Sequence, residues 1–262
     1  MDHRMRRLIQ FPCAGDTLVG TLDEAAGSTG LLIVSGGNEI RFGAHRGMAL
    51  LAAALAESGI PVLRFDRRGI GDSSGINRGW RDSAPDIAAA AATFTAETGV
   101  KRLIAFGNCD AATALALFHH AAGVDALILA NPWIGDEPDA LPPATAIRAH
   151  YAERLRDPAT YLRALRGGVS FGKFFQGLRK SAAPPATQPN PIADEIAAGL
   201  GSTPRTVLLA TRDNTAARFL EAFPTPASAE TRLMLDSASH SFARVEDQRW
   251  LIDAVRRAIG TG

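Results

Sequence analysis

Residues 102–117 read RLIAFGNCDAATALAL, and the order of their parts decides the fold. Arg102 to Phe106 is a short apolar run of the kind a fully buried strand requires, and the stretch from Ala111 is rich in Ala and Leu, which favour helix. Between them stands Gly-Asn-Cys-Asp-Ala, with Gly107 two residues before Cys109 and Ala111 two after. A nucleophile raised on a strand-to-helix turn needs that arrangement. Its backbone sits at a rare angle, and the side chains two positions to either side must be small to avoid clashes. Such a turn aims the thiol out of the C-terminal edge of a sheet and sets it at a helix N-terminus, where a thiolate is favoured. It also offers the backbone N–H of Asp110 to a developing oxyanion. A free cysteine met in isolation reads as a small buried residue. Here the flanking strand, glycine, alanine and helix outweigh that reading, whereas Cys13 has no such setting and is assigned to structure.

Working outward, short β-type runs alternate with helical ones. Thr17 to Leu22, Gly30 to Ser35 and Ile60 to Asp66 read as strands, with helices near His45 to Ser58 and Asp82 to Thr98. After the central stretch come strands at Ala126 to Ala130, Thr206 to Ala210 and Arg232 to Leu235, with helices near Thr215 to Phe223 and Ala243 to Ile259. This rhythm predicts the α/β class: a doubly wound, mostly parallel sheet of about eight strands, in a single domain over residues 1–262. Between Pro132 and Pro204 the rhythm gives way to a basic, helical-looking stretch followed by a Pro- and Ala-rich one, so a small helical lid is expected as an insertion over 133–203. The arginines of that stretch read first as a solvated face and second as a surface toward an acidic substrate group.

Composition narrows the function. With 28 Lys and Arg against 27 Asp and Glu, the formal charge of +1 supplies no field to recruit nucleic acid or an anionic membrane, which points to a small-molecule partner. The first eleven residues hold no apolar run long enough for a signal peptide or a membrane span, so a cytoplasmic protein that does not span the membrane is expected. Two cysteines without CxxC spacing are too few for a disulfide framework or a structural zinc site, and neither a metal nor a cofactor is expected.

An elbow nucleophile in such a sheet is followed in chain order by an acid and then a histidine. Asp213, directly after the run Thr206 to Thr211, is the candidate acid; its alternative role is the N-cap of the helix beginning near Thr215, and Asp236 is the fallback acid. His240 lies in the Ser-Ala-Ser-His-Ser-Phe loop before the last helix and is the candidate base. His3, His45, His119, His120 and His150 do not occupy that place in the order. A second oxyanion donor is expected from the loop after Leu31-Leu-Ile-Val-Ser, where the N–H of Gly37 or of Asn38 fits equally well. In Phe65-Asp-Arg-Arg-Gly-Ile-Gly-Asp-Ser-Ser-Gly, the mixed charges are expected to tie the loop to the sheet. A substrate contact through Arg67 or Arg68 is the secondary reading.

Gly36-Gly-Asn, Gly43-Ala-His-Arg, Arg64-Phe-Asp-Arg-Arg-Gly-Ile-Gly-Asp-Ser-Ser-Gly and Gly107-Asn-Cys-Asp-Ala-Ala together resemble the α/β-hydrolases associated with the exosortase A system, first type. The resemblance runs from about Gly36 to His240. It implies an α/β-hydrolase fold of esterase or lipase type with cysteine at the elbow, in bacteria whose loci serve exopolysaccharide and protein sorting. It places the nucleophile on Cys109, the acid on Asp213 and the histidine on His240. The expected chemistry is cleavage of an ester or thioester through an acyl-cysteine, with an acyltransferase sharing the first half-reaction. The other class is a non-catalytic scaffold of the same fold. A nucleotide-binding domain is disfavoured because no GxGxxG or Walker loop follows the first strand.

Overall fold

In the computed structural model, which describes residues 6–135 and 190–260, eight strands form one sheet. They are β1 (Arg6–Cys13), β2 (Asp16–Asp23), β3 (Thr29–Val34), β4 (Val62–Phe65), β5 (Arg102–Asn108), β6 (Ala126–Ala130), β7 (Arg205–Ala210) and β8 (Glu230–Leu235). Their order is β1-β2-β4-β3-β5-β6-β7-β8. The pairs β1–β2 and β2–β4 are antiparallel and every other pair is parallel, which gives the doubly wound α/β sheet that the sequence predicts. Seven of the strands fall on the apolar runs read from the sequence. The eighth is β1, where Ile9, Phe11 and Cys13 turn inward in alternation with exposed neighbours. Arg6 and Arg7 at its start obscure that period-two pattern.

The central parallel strands are buried on both faces and therefore read as continuous apolar runs rather than alternating ones. In β3, Leu32 and Val34 face one core cluster while Leu31 and Ile33 face the other. The first cluster is covered by α2 (Ala84–Thr98) and α3 (Asp110–Phe118), the second by α1 (Gly47–Glu57) and α6 (Val245–Gly260). Helix α2 carries Pro in its first turn and is stopped by Gly99 in the left-handed conformation (φ 69°), the usual asymmetry of helix ends. Leu51 and Leu55 of α1 are fully buried, each contributing about 1.5–3 kcal/mol of transfer free energy.

The chain divides into two units, Met1–Ile134 with Ile192–Gly262, and Gly135–Pro191. The flanks of the expected 133–203 insertion belong to the first unit. Ile134 is buried in its core, as are Ile196 and Leu200 of α4 (Pro191–Leu200). The stretch between those flanks, on which the lid expectation falls, lies outside the described residues. Among the described residues no helix is long and apolar enough to cross a membrane.

Candidate active site

Cys109 stands at the junction of β5 and α3 with φ 61° and ψ −127°. A non-glycine residue held there stores about 1–3 kcal/mol of strain, so the surroundings must impose the conformation. They do so through the main chain: the Cys109 N–H donates to the Ala130 carbonyl at 3.0 Å, and the Cys109 carbonyl accepts from the N–H groups of Ala112 at 3.1 Å and Trp133 at 3.2 Å. The predicted need for small neighbours is met. A Cβ on Gly107 would lie 2.7 Å from the Ala111 carbonyl carbon, and Ala111 itself is fully buried. The thiol is half-buried rather than sealed in the core.

Strands β7 and β8 are parallel neighbours, so the loops at their C-terminal ends meet although 27 residues separate the two side chains that matter. His240 Nδ1 lies 3.0 Å from Asp213 Oδ2. That same oxygen accepts the N–H groups of Thr215 at 3.1 Å and Ala216 at 3.2 Å, at the start of α5 (Asn214–Ala222). The two alternatives for Asp213 are thus both realised: it caps the helix, and the cap fixes the carboxylate that orients the imidazole. The hydrogen bond to Asp213, and after it a side-chain hydrogen bond to Cys109, push the His240 pKa from 6.5 up to about 10, against the opposing effect of burial. Asp213 and His240 are thus joined by a hydrogen bond, and the Cys109 side chain lies near enough to the imidazole to bear on its titration. Asp236 is exposed and paired with Arg212 at 2.9 Å. His119 is a satisfied core residue, held by the Leu115 carbonyl and the Thr203 hydroxyl, both at 2.9 Å, with its pKa lowered chiefly by burial.

Of the two expected oxyanion donors, the Gly37 N–H faces the elbow: it donates to Asp110 Oδ1 at 2.7 Å. A carboxylate oxygen thus sits on the donor, in the charge state an oxyanion would present. The preceding Gly36 permits this approach, since a Cβ there would stand 2.5 Å from the Asn108 carbonyl oxygen. Arg67 fixes the loop from behind by donating to the Gly37 carbonyl. Asn38 is exposed, and its Oδ1 accepts from Asn77 Nδ2 at 2.8 Å. The Asp110 N–H belongs to the first turn of α3, whose N–H groups have no intrahelical acceptor. Beside the elbow lies a small pocket lined by Val34, Gly36, Met48, Phe106, Asn108 and Phe242, among others.

Sequence reasoning missed Asn131. It follows β6, is fully buried, and takes the left-handed conformation with φ 40°. Its Nδ2 donates to the His240 carbonyl at 3.0 Å, and its Oδ1 accepts the Ala210 N–H at 2.9 Å. It thereby ties the histidine loop to the ends of β6 and β7. A polar residue followed by proline at the end of the run Ala126 to Ala130 was the available signal.

Residues 31–254 match the model of the alpha/beta hydrolase family, which spans most of β3, the strands β4 to β8 and every residue of this site, and the chain belongs to that family. A search of curated proteins finds no match. Among solved structures, an esterase of Pyrococcus furiosus is 15% identical with a TM-score of 0.64, over 98% of this chain and 92% of its own. An alpha/beta hydrolase of Penicillium is 20% identical with a TM-score of 0.62, over 98% of this chain and 99% of its own. A hydrolase of Pseudomonas aeruginosa is 22% identical with a TM-score of 0.58, over 97% and 98%. At these identities the likeness is one of fold.

Proposed function

We propose that the protein is an esterase or thioesterase that attacks an acyl carbonyl with Cys109. The observation that carries this reading is a strained, half-buried thiol at an elbow, near an imidazole that a carboxylate holds at 3.0 Å. With its pKa raised to about 10, His240 carries the proton at neutral pH and is placed to deliver it to a leaving group. Sulfur adds to the carbonyl carbon, the oxyanion is met by the Asp110 N–H and by the Gly37 N–H once the Asp110 carboxylate has swung off it, and the imidazolium protonates the departing alcohol or thiol. The acyl-cysteine then yields to water, deprotonated by the now neutral His240. A thiolate leaves a tetrahedral intermediate more readily than an alkoxide, so esters and thioesters are favoured over amides.

The finer assignment, a hydrolase of the exosortase A-associated type in bacterial exopolysaccharide or protein sorting, is supported by the four motifs quoted above. Transfer to an alcohol or amine instead of water uses the same acyl-cysteine. Incubation with a p-nitrophenyl ester, followed by intact-protein mass measurement, is expected to show an acyl adduct on Cys109 that Cys109→Ala lacks. Absence of both adduct and turnover from pH 5 to 10 would favour a non-catalytic scaffold.

A further inference from the structure

We propose that the cleft behind the oxyanion loop binds an anionic oxo group, a carboxylate or a phosphate, between Arg67 and Arg78. The loop after β4 carries three arginines lining this shallow cleft: Arg67, Arg68 and Arg78. Arg68 is matched in charge, because the Asp86 carboxylate accepts both its backbone N–H and its Nε. Arg67 is not. It is 4% exposed, donates to the neutral Gly37 carbonyl and, among the described residues, makes no ion pair and has its buried Nε without a hydrogen-bond partner. Two other arginines have a buried, unpartnered Nε, but each has a carboxylate: Asp23 lies 3.0 Å from Arg64, and Asp253 lies 3.8 Å from Arg256.

A buried guanidinium without a counter-charge is strongly unfavourable, so an anion is expected to arrive from outside the fold. Arg78 is exposed and has no partner among the described residues, which leaves its planar fork available for bidentate contact with a carboxylate or phosphate. Asp82 also lines the cleft, but it is exposed and its charge is screened by solvent, while Asp86 is already matched by Arg68. The cleft is joined to the catalytic loop at two points, through the Arg67 bond to Gly37 and the Asn77 bond to Asn38. On the acyl-transfer reading above, the substrate is therefore an acyl ester or thioester bearing a carboxylate or phosphate.

The test is thermal unfolding of the full chain with inorganic phosphate or, separately, succinate, with ionic strength held constant by sodium chloride. At about ten times its dissociation constant, at least one of these anions is expected to raise the Tm by roughly 3 °C, and the larger shift identifies the preferred group. Cys109→Ala keeps the shift, Arg67→Met loses it, and Arg78→Ala, at an exposed position that does not endanger folding, reduces it by at least half. No shift beyond the chloride control, or a shift unchanged in both arginine variants, overturns the proposal. The outcome is independent of the catalytic reading: an anion shift without any acyl adduct on Cys109 sinks the mechanism and leaves the cleft standing, while an adduct without the shift does the reverse.

Discussion

Replacing Asp213 by Asn isolates the charge that sets the state of His240. Asparagine keeps a side-chain oxygen that can accept the Thr215 and Ala216 N–H groups, so the helix cap survives and stability falls by no more than about 1 kcal/mol. The same oxygen still faces His240 Nδ1, but the imidazole loses the negative charge that, with this hydrogen bond, raises its pKa from 6.5 to about 10. An opposite charge at this range shifts a titration by ~1–3 units, so the alkaline limb of Cys109 reactivity is expected to move down by that amount. Without a carboxylate to stabilise the imidazolium, turnover is expected to fall by about 10²–10⁴-fold. The assay is the rate of Cys109 carboxamidomethylation by iodoacetamide from pH 5 to 10.5, followed by intact mass, beside the pH profile of ester cleavage. The same shift links to stability. Because the folded-state pKa lies above the ordinary value, the protonated imidazole favours the folded protein; this contribution is complete below pH 6.5 and is lost as the pH rises through about 10. Superimposable alkylation profiles for the wild type and Asp213→Asn would refute the claim that this carboxylate controls the imidazole.

Cys13 is 4% exposed, and burial, followed by the Asp86 charge, pushes its thiol up to about 11, so iodoacetamide at pH 8 is expected to label Cys109 alone; peptide mapping that finds Cys13 modified at a comparable rate contradicts this. Asn131→Ala removes the bonds to the His240 carbonyl and the Ala210 N–H and leaves a Cβ residue at φ 40°, for an expected loss of about 2–4 kcal/mol in urea unfolding. Asn131→Asp keeps the acceptor for Ala210 but not the donor for His240, so its kcat is expected to fall more than its stability does. Asp110→Asn replaces a charged acceptor on the Gly37 N–H with a weaker neutral one, and kcat/KM is expected to rise about 3–10-fold while the first turn of α3 loses ~0.3–1 kcal/mol. A fall in kcat/KM would mean that the carboxylate assists the reaction.

Local patterns carried the reading wherever the physics is local. The central strands were legible because a strand buried on both faces must be apolar throughout, and the elbow was legible because steric demand at Gly107 and Ala111 acts within two residues of Cys109. Strand β1 was hidden because its charged first residues break an alternation that only pairing with β2 makes worthwhile. That Ile196 and Leu200, at a flank of the expected insertion, enter the core was hidden for a related reason: they look like any amphipathic helix until the core they enter is known.

The sequence alone determined which residue types stand in which order: a thiol between strand and helix, then an acid, then a histidine. Only the tertiary structure decided that Asp213 both caps a helix and holds His240, that Asn131 anchors the histidine loop, that Asp110 sits on the Gly37 N–H, and that Arg67 is buried without a carboxylate. Each of these is a contact between residues far apart in the chain, whose partners are chosen by strand order and loop direction. Hydrogen-bond geometry and charge compensation act at about 3 Å in space, and neither leaves a mark on the spacing of residues along the chain.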